Sequence, residues 1–308
     1  MSTAKLPNLI IAGAPKAGTS AIFQYLSEHP EVCGSSIKET RFLIREYSGK
    51  RETDIMAYSR YFARCQNSNN QIIMEASPGY LVKGREIAER IKTLLGDCKL
   101  LFILRDPVNR ISSYYHFRIA NGALPKELKF EKYLEFCQRY NETGQLVYEG
   151  YNFEGTYLLG GLRMGNYAHY LSQYIDVLGK QNIKILFFED FKKDNRHFLQ
   201  HLCKDLGIDP TFYDSYQFDA VNVTNYARYQ LLHRFALYTN KTLEKYIRHR
   251  PKLKKPIKQL YQRLNFRRQQ GYSKMSPETR RWLQNYYAKS KTHLQELVGH
   301  DISIPWEW

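Results

Sequence analysis

No run of 18 or more consecutive apolar residues occurs in this 308-residue chain, which excludes a membrane-spanning helix of ordinary length. Only a few residues precede the first apolar strand, too few for a leader peptide or an anchor, so the expectation is a soluble, cytoplasmic protein. Cysteine is sparse. Cys33, Cys65, Cys98, Cys137 and Cys203 are odd in number and contain no C-x-x-C pair, which argues against a disulfide framework or a zinc site; all five are expected as reduced thiols in or near the core. No helix-turn-helix, zinc-finger or aromatic RNA-binding signature occurs, so nucleic acid is not expected as a partner. With no internal repeat and no linker, residues 1–308 read as one domain.

Acidic residues are in deficit, 30 Asp and Glu against 46 Lys and Arg, and the resulting net charge of +16 is unevenly placed. Residues 241–274 carry +11 of it, which suits either an anionic partner or a solvated helical face. Apolar residues make up 43% of the chain and aromatics 14%, enough to fill a sizeable core. Apolar runs of strand length stand at Leu9–Ala12, Ile72–Met74, Leu100–Leu104 and Ile183–Phe188. Helical patterns are predicted over 19–29, 84–95, 107–119, 166–178, 195–206, 226–247 and 277–298. Strands alternating with helices predict an α/β fold with a mainly parallel sheet covered by helices. Residues 121–165 have weak periodicity and read as a substrate-side excursion.

Two stretches carry chemistry. The first, "GAPKAGTS" at 13–20, follows a strand and opens a helix. Gly13 and Gly18 have the spacing of a nucleotide-binding loop, but the lysine is Lys16, two places before the second glycine. Backbone donors at Ala17, Gly18, Thr19 and Ser20 would sit at a helix N-terminus, where orphan N–H groups and the helix dipole favour an anion. In the second, "LRDPVNRISSYYHF" at 104–117, Arg105 closes a strand and Ser113 lies eight residues on, in a new helix. A guanidinium fork beside a hydroxyl suits a second phosphate. Two phosphate sites after two strands suit a nucleotide phosphorylated at both its 5′ and 3′ positions. A kinase with an altered loop is an alternative, with Asp106 as its Mg²⁺ ligand, as is a non-catalytic protein that binds an anionic polymer through 241–274.

Together "PKAGTS" and "RDPVNRISSYYHF" resemble the sulfotransferases that use 3′-phosphoadenosine-5′-phosphosulfate (PAPS), most closely the carbohydrate and heparan-sulfate type. The family's K-E-x-x-F-F element resembles "KETRFL" at 38–43, its E-K-S-P-x-Y element "EASPGY" at 75–80, and its G-x-Y-x-x-x-L element "GNYAHYL" at 165–171; the closing helix and tryptophan are similar to residues 275–306. The resemblance implies a P-loop-like fold and PAPS as cosubstrate, with no metal. It implies Lys16 as the group that neutralises charge on the departing 5′-phosphate, Arg105 and Ser113 as the 3′-phosphate pair, and Glu39 as the base, with His116 as the rival. Gly271 and Tyr272 would line the nucleotide, aided by Arg267, Arg268 or Lys274. Ala76 stands where the heparan type has lysine, which favours a small natural product, a glycolipid precursor or an oligosaccharide as acceptor.

Overall fold

A strand covered on both faces carries apolar residues without alternation, and "LIIAG" forms such a strand, β1 (Leu9–Gly13), buried along its whole length. In the computed structural model, which describes residues 5–47, 50–51, 53–65, 70–148, 151–152, 156–218, 226–227, 266–267 and 275–308, β1 is the middle strand of a five-stranded parallel sheet. The others are β2 (Val32–Gly34), β3 (Ile72–Ala76), β4 (Lys99–Leu104) and β5 (Ile183–Phe187), in the order β2-β3-β1-β4-β5. Leu9 stands opposite Met74 of β3 on one side and Lys99 of β4 on the other. After β1 the chain fills one side of the sheet, then crosses to the other. That reversal makes the carboxyl ends of β1 and β4 the sheet's switch point, the usual place for a ligand in an open α/β sheet.

The main helices are α1 (Thr19–Glu28), α2 (Arg85–Leu95), α3 (Pro107–Ala120), α4 (Phe130–Thr143), α5 (Tyr167–Leu178), α6 (Phe188–Lys193), α7 (Asn195–Leu206) and α8 (Pro277–Val298). The predicted α/β class holds, and six of the seven predicted helices end within a residue of their observed limits. The seventh, 226–247, begins instead as a strand: Tyr226–Ala227 pairs antiparallel with Phe266–Arg267, and 228–247 lies outside the described residues. By contacts the chain divides into two compact units, Met1–Ile111 with Leu162–Val221 and Pro277–Trp308, and Ser112–Gly161 with Asn222–Ser276. The first holds the sheet.

The stretch 121–165 contains a regular helix, α4, which the sequence reading missed. Its buried face is Phe130, Tyr133, Leu134, Phe136, Cys137 and Tyr140, a helical repeat written partly in tyrosine. Tyrosine blurs an apolar pattern because its hydroxyl needs a partner when buried. Here Tyr133 donates to the Leu158 carbonyl at 2.9 Å and Tyr115, on α3, to that of Leu128 at 2.5 Å.

The expectation of five reduced thiols is overturned for two of them: Cys33 and Cys65 form a disulfide, with Cα atoms 5.6 Å apart. Thirty-two residues separate them and no short motif marks the pair. A backbone bond, Ser36 N–H on the Tyr61 carbonyl at 2.8 Å, and a side-chain bond, Arg64 Nη2 on that of Gly34 at 3.0 Å, bring them together. Cys98, Cys137 and Cys203 are buried free thiols, and burial pushes that of Cys203 up to about 12. Closing a loop of this length stabilises the folded chain by about 2–4 kcal/mol. Cys65→Ser is therefore expected to melt roughly 5–10 °C below the parent in a calorimetric scan, and dithiothreitol to reproduce the shift in the parent but not in the variant.

Candidate active site

The two stretches predicted to bind phosphate leave the sheet at its switch point, one after β1 and one after β4. Ala14 N–H donates to the Ile103 carbonyl at 2.7 Å, so the first loop leaves β1 already pinned to β4. Gly13 packs close, since a Cβ there would lie 2.8 Å from that of Leu81. Gly18, with φ +78°, precedes the first residue of α1, and a side chain there would meet the Phe188 ring at 2.5 Å. Glycine is required at both positions by space, and at Gly18 by conformation as well. The Ala17 N–H closes a turn on the Ala14 carbonyl at 3.3 Å. Gly18, Thr19 and Ser20 then supply the N–H groups of the helix end, which helix geometry leaves without intrahelical partners.

The second stretch is tied to the first. Arg105 Nη1 donates to the Lys16 carbonyl at 3.1 Å, and its guanidinium lies 5.0 Å above the Phe188 ring that backs Gly18. One arginine thus touches the loop's carbonyl and the ring beneath its glycine. Lys16 keeps its side chain half-buried at a backbone φ of 71°. Asp106 serves α3: its carboxylate accepts from Val108 N–H at 2.9 Å, Asn109 Nδ2 at 2.6 Å and Trp308 Nε1 at 3.3 Å. Burial raises the pKa of Asp106 and of Glu189, which accepts from the Asp106 N–H at 3.0 Å. Trp306 Nε1 donates to the other oxygen of Glu189 at 3.3 Å, so the C-terminal tryptophans brace the start of α3 and the end of β5. Sequence reasoning missed Phe188 and Trp308, because ring packing under a glycine and a distant indole leave no local signature. Ser113 lies two turns along α3, nearly buried at 6% exposure.

Glu39 lies in an irregular stretch after β2, and its N–H donates to the Ala76 carbonyl at the end of β3 at 2.8 Å. Its carboxylate is 38% exposed and pairs with Lys38 at 3.1 Å and with Arg41 at 2.7 Å. Burial pulls its pKa upward, but the charges of Lys38 and Arg41 and their hydrogen bonds outweigh it and hold the carboxyl below its usual value. His116, also on α3, is half-buried and lines a cavity of about 220 Å³ with Ser112, Tyr115, Glu127 and Glu131. Burial pushes its pKa down to about 4, so it is neutral at pH 7. Among the described residues, the non-glycine residues with positive φ are Lys16, Glu39 and Arg41. Such backbone costs about 1–3 kcal/mol per residue and persists where the surroundings over-determine it, most often at functional sites. Gly271, Tyr272, Arg268 and Lys274 lie outside the described residues, and Arg267 is placed only as the end of the strand Phe266–Arg267.

Residues 6–294 match the sulfotransferase domain. The chain belongs to that family. Two relatives of this sulfotransferase-family chain are the membrane-associated sulfotransferase kil1 of Dictyostelium discoideum and human heparan sulfate glucosamine 3-O-sulfotransferase 3B1. The first is 37% identical over 131 residues, 41% of this chain and 27% of the relative; the second is 36% identical over 111 residues, 36% of this chain and 26% of the relative. The matched part is thus about a quarter of each relative's length. A sulfotransferase of Alicyclobacillus acidocaldarius shares the fold: its crystal structure superposes with a TM-score of 0.64 at 22% identity, covering 96% of both chains. No helix among the described residues is long and apolar enough to cross a membrane.

Proposed function

We propose that the protein transfers a sulfuryl group from PAPS to a hydroxyl on a small natural product, a glycolipid precursor or an oligosaccharide. The observation that carries the reading is the Arg105–Lys16 hydrogen bond, which couples the two phosphate-binding stretches at the sheet's switch point. A donor set of helix-end amides, one ammonium and one guanidinium fits a nucleotide with phosphates at both ends. PAPS supplies an activated sulfuryl group whose S–O bond to the 5′-phosphate breaks as the acceptor oxygen bonds to sulfur. Gly18, Thr19 and Ser20 hold the 5′-phosphate, and the Lys16 ammonium neutralises the charge that grows on it. Arg105 and Ser113 hold the 3′-phosphate, and Glu39 accepts the acceptor's proton as the new bond forms. The kinase reading would give Asp106 to Mg²⁺, but that carboxylate caps α3 and meets Trp308. The Cys33–Cys65 disulfide favours an oxidising compartment over the cytoplasm.

Thermal-shift titration tests this reading. Adenosine 3′,5′-bisphosphate is expected to raise the melting temperature without divalent metal, and ATP with Mg²⁺ or heparin to raise it less. Arg105→Ala should weaken bisphosphate binding by about 1.5–3 kcal/mol, roughly 10- to 150-fold, because a charged hydrogen-bond donor is lost. The variant also loses its bond to the Lys16 carbonyl, so the decisive comparison is preference. If the variant favours the bisphosphate over adenosine 5′-phosphate as strongly as the parent does, Arg105 does not read the 3′-phosphate.

A further inference from the structure

The segment that bears Glu39 is fastened to a carboxylate that sulfuryl transfer leaves unused. Glu75, on β3, is fully buried at 0% exposure. Four hydroxyls donate to it: Thr40 Oγ1 at 2.6 Å, Ser77 Oγ at 2.5 Å and the Tyr80 hydroxyl at 2.9 Å on Oε1, and the Tyr58 hydroxyl on Oε2. Burying a carboxylate is costly unless strong hydrogen bonds replace its hydration, so the hydroxyl hydrogens are committed to Glu75. A hydroxyl has one hydrogen, and a hydroxyl that donates it can meet other partners only as an acceptor. Three of the four do so. Ser77 Oγ accepts the Arg41 N–H at 3.1 Å, Thr40 Oγ1 the Phe42 N–H at 3.2 Å, and the Tyr80 hydroxyl the Leu43 N–H at 3.1 Å. Burial first, then the Glu75 charge, pushes the Tyr58 and Tyr80 phenols well up, so both stay donors across the working range of pH.

The geometry points to Glu75 as the positioning residue of the transfer reaction: through Ser77, Thr40 and Tyr80 it orients acceptors for three consecutive amides, Arg41 to Leu43, and so aims the Glu39 carboxylate at the acceptor side. Glu39 and Arg41 both hold positive φ, and this network supplies the constraint that such backbone needs. The proposal rests on the reading of Glu39 as base. Alanine at position 75 would remove both acceptor oxygens. The Thr40, Ser77 and Tyr80 hydroxyls would lose the partner that fixes their hydrogens, and with it the orientation of the lone pairs that meet the Arg41, Phe42 and Leu43 amides.

Hydrogen exchange and kinetics test this together. In Glu75→Ala the amides of Arg41, Phe42 and Leu43 should exchange about tenfold faster or more, while those of α1 keep their protection. With PAPS and either 2-naphthol or an N-sulfated heparosan oligosaccharide, turnover should fall about tenfold or more at unchanged affinity for adenosine 3′,5′-bisphosphate. The double variant Glu39→Gln/Glu75→Ala should be no slower than Glu39→Gln alone, because a residue that acts only through another adds nothing once that other is gone. Unchanged exchange at 41–43 overturns the proposal. Losses that multiply beside a slow Glu39→Gln also overturn it, while leaving the base reading intact; a Glu39→Gln as fast as the parent overturns the base reading itself. Ser77→Ala serves if Glu75→Ala fails to fold: faster exchange confined to the Arg41 amide supports the network, and unchanged exchange there sinks it.

Discussion

Lys16→Ala is expected to lower the turnover number for sulfuryl transfer by on the order of 10²–10³-fold while weakening adenosine 3′,5′-bisphosphate binding less than about tenfold. The asymmetry follows from when the charge arises. Bound PAPS carries little charge on the bridging oxygen, and the ammonium meets its full partner only as the S–O bond breaks. Two features of the loop make the substitution clean. The bond from Arg105 uses the Lys16 carbonyl, so the loops stay coupled when the side chain is cut back. Alanine also bears a Cβ, so the cost of φ 71° is shared by parent and variant and cancels in the comparison. Single-turnover rates with PAPS, set beside calorimetric titration of the bisphosphate, give the two numbers. Equal losses in both would make Lys16 a binding residue.

The fold was legible where one element dictates its own pattern. β1 and β4 are buried along nearly their whole length and read as unbroken apolar runs, and α8 opens on Ser276-Pro277 and buries Leu283, Tyr287 and Leu294 on one face. The loop at 13–20 was legible as a strand-to-helix junction because Gly13 and Gly18 stand between an unbroken apolar run and a helical pattern. What stayed hidden depends on partners far off in sequence. β2 has three residues, too few to show a period, and is a strand only because β3 lies beside it. The Cys33–Cys65 pair and the Trp308–Asp106 hydrogen bond join positions 32 and 202 residues apart. Glu75 was visible as the first letter of "EASPGY", yet its role needs four hydroxyls from three separate stretches, a grouping that exists only once β3 is in the sheet. The site divides the same way: the residue types of Lys16, Glu39 and Arg105 were readable, but their coupling and their backbone conformations were not.

Glu39→Gln is the substitution with the largest expected effect, a loss of about 10²–10⁴-fold in turnover with PAPS affinity nearly unchanged. An alcohol is far too weak an acid to lose its proton to a carboxylate in the ground state, so the base acts only as the oxygen–sulfur bond forms. Glutamine keeps the shape of Glu39 and one acceptor oxygen, but loses the charge that Lys38 and Arg41 hold at 3.1 and 2.7 Å. Those two cations bear on the pH profile as well. Because the net of burial, Lys38 and Arg41 depresses the carboxyl, the basic form persists as pH falls and is lost only below the usual carboxylate range. Turnover should therefore hold level through the usual carboxylate range and fall only below it, and Glu39→Gln should remove that acid limb along with most of the rate. His116, pushed down to about 4 by burial, would give a limb in much the same place, so the profile alone does not separate the two. The variants do: with Glu39 as the base, His116→Ala should retain most of the activity. If His116→Ala is inactive beside a nearly active Glu39→Gln, the base is the histidine, and the ion pairs of Glu39 only shape the loop.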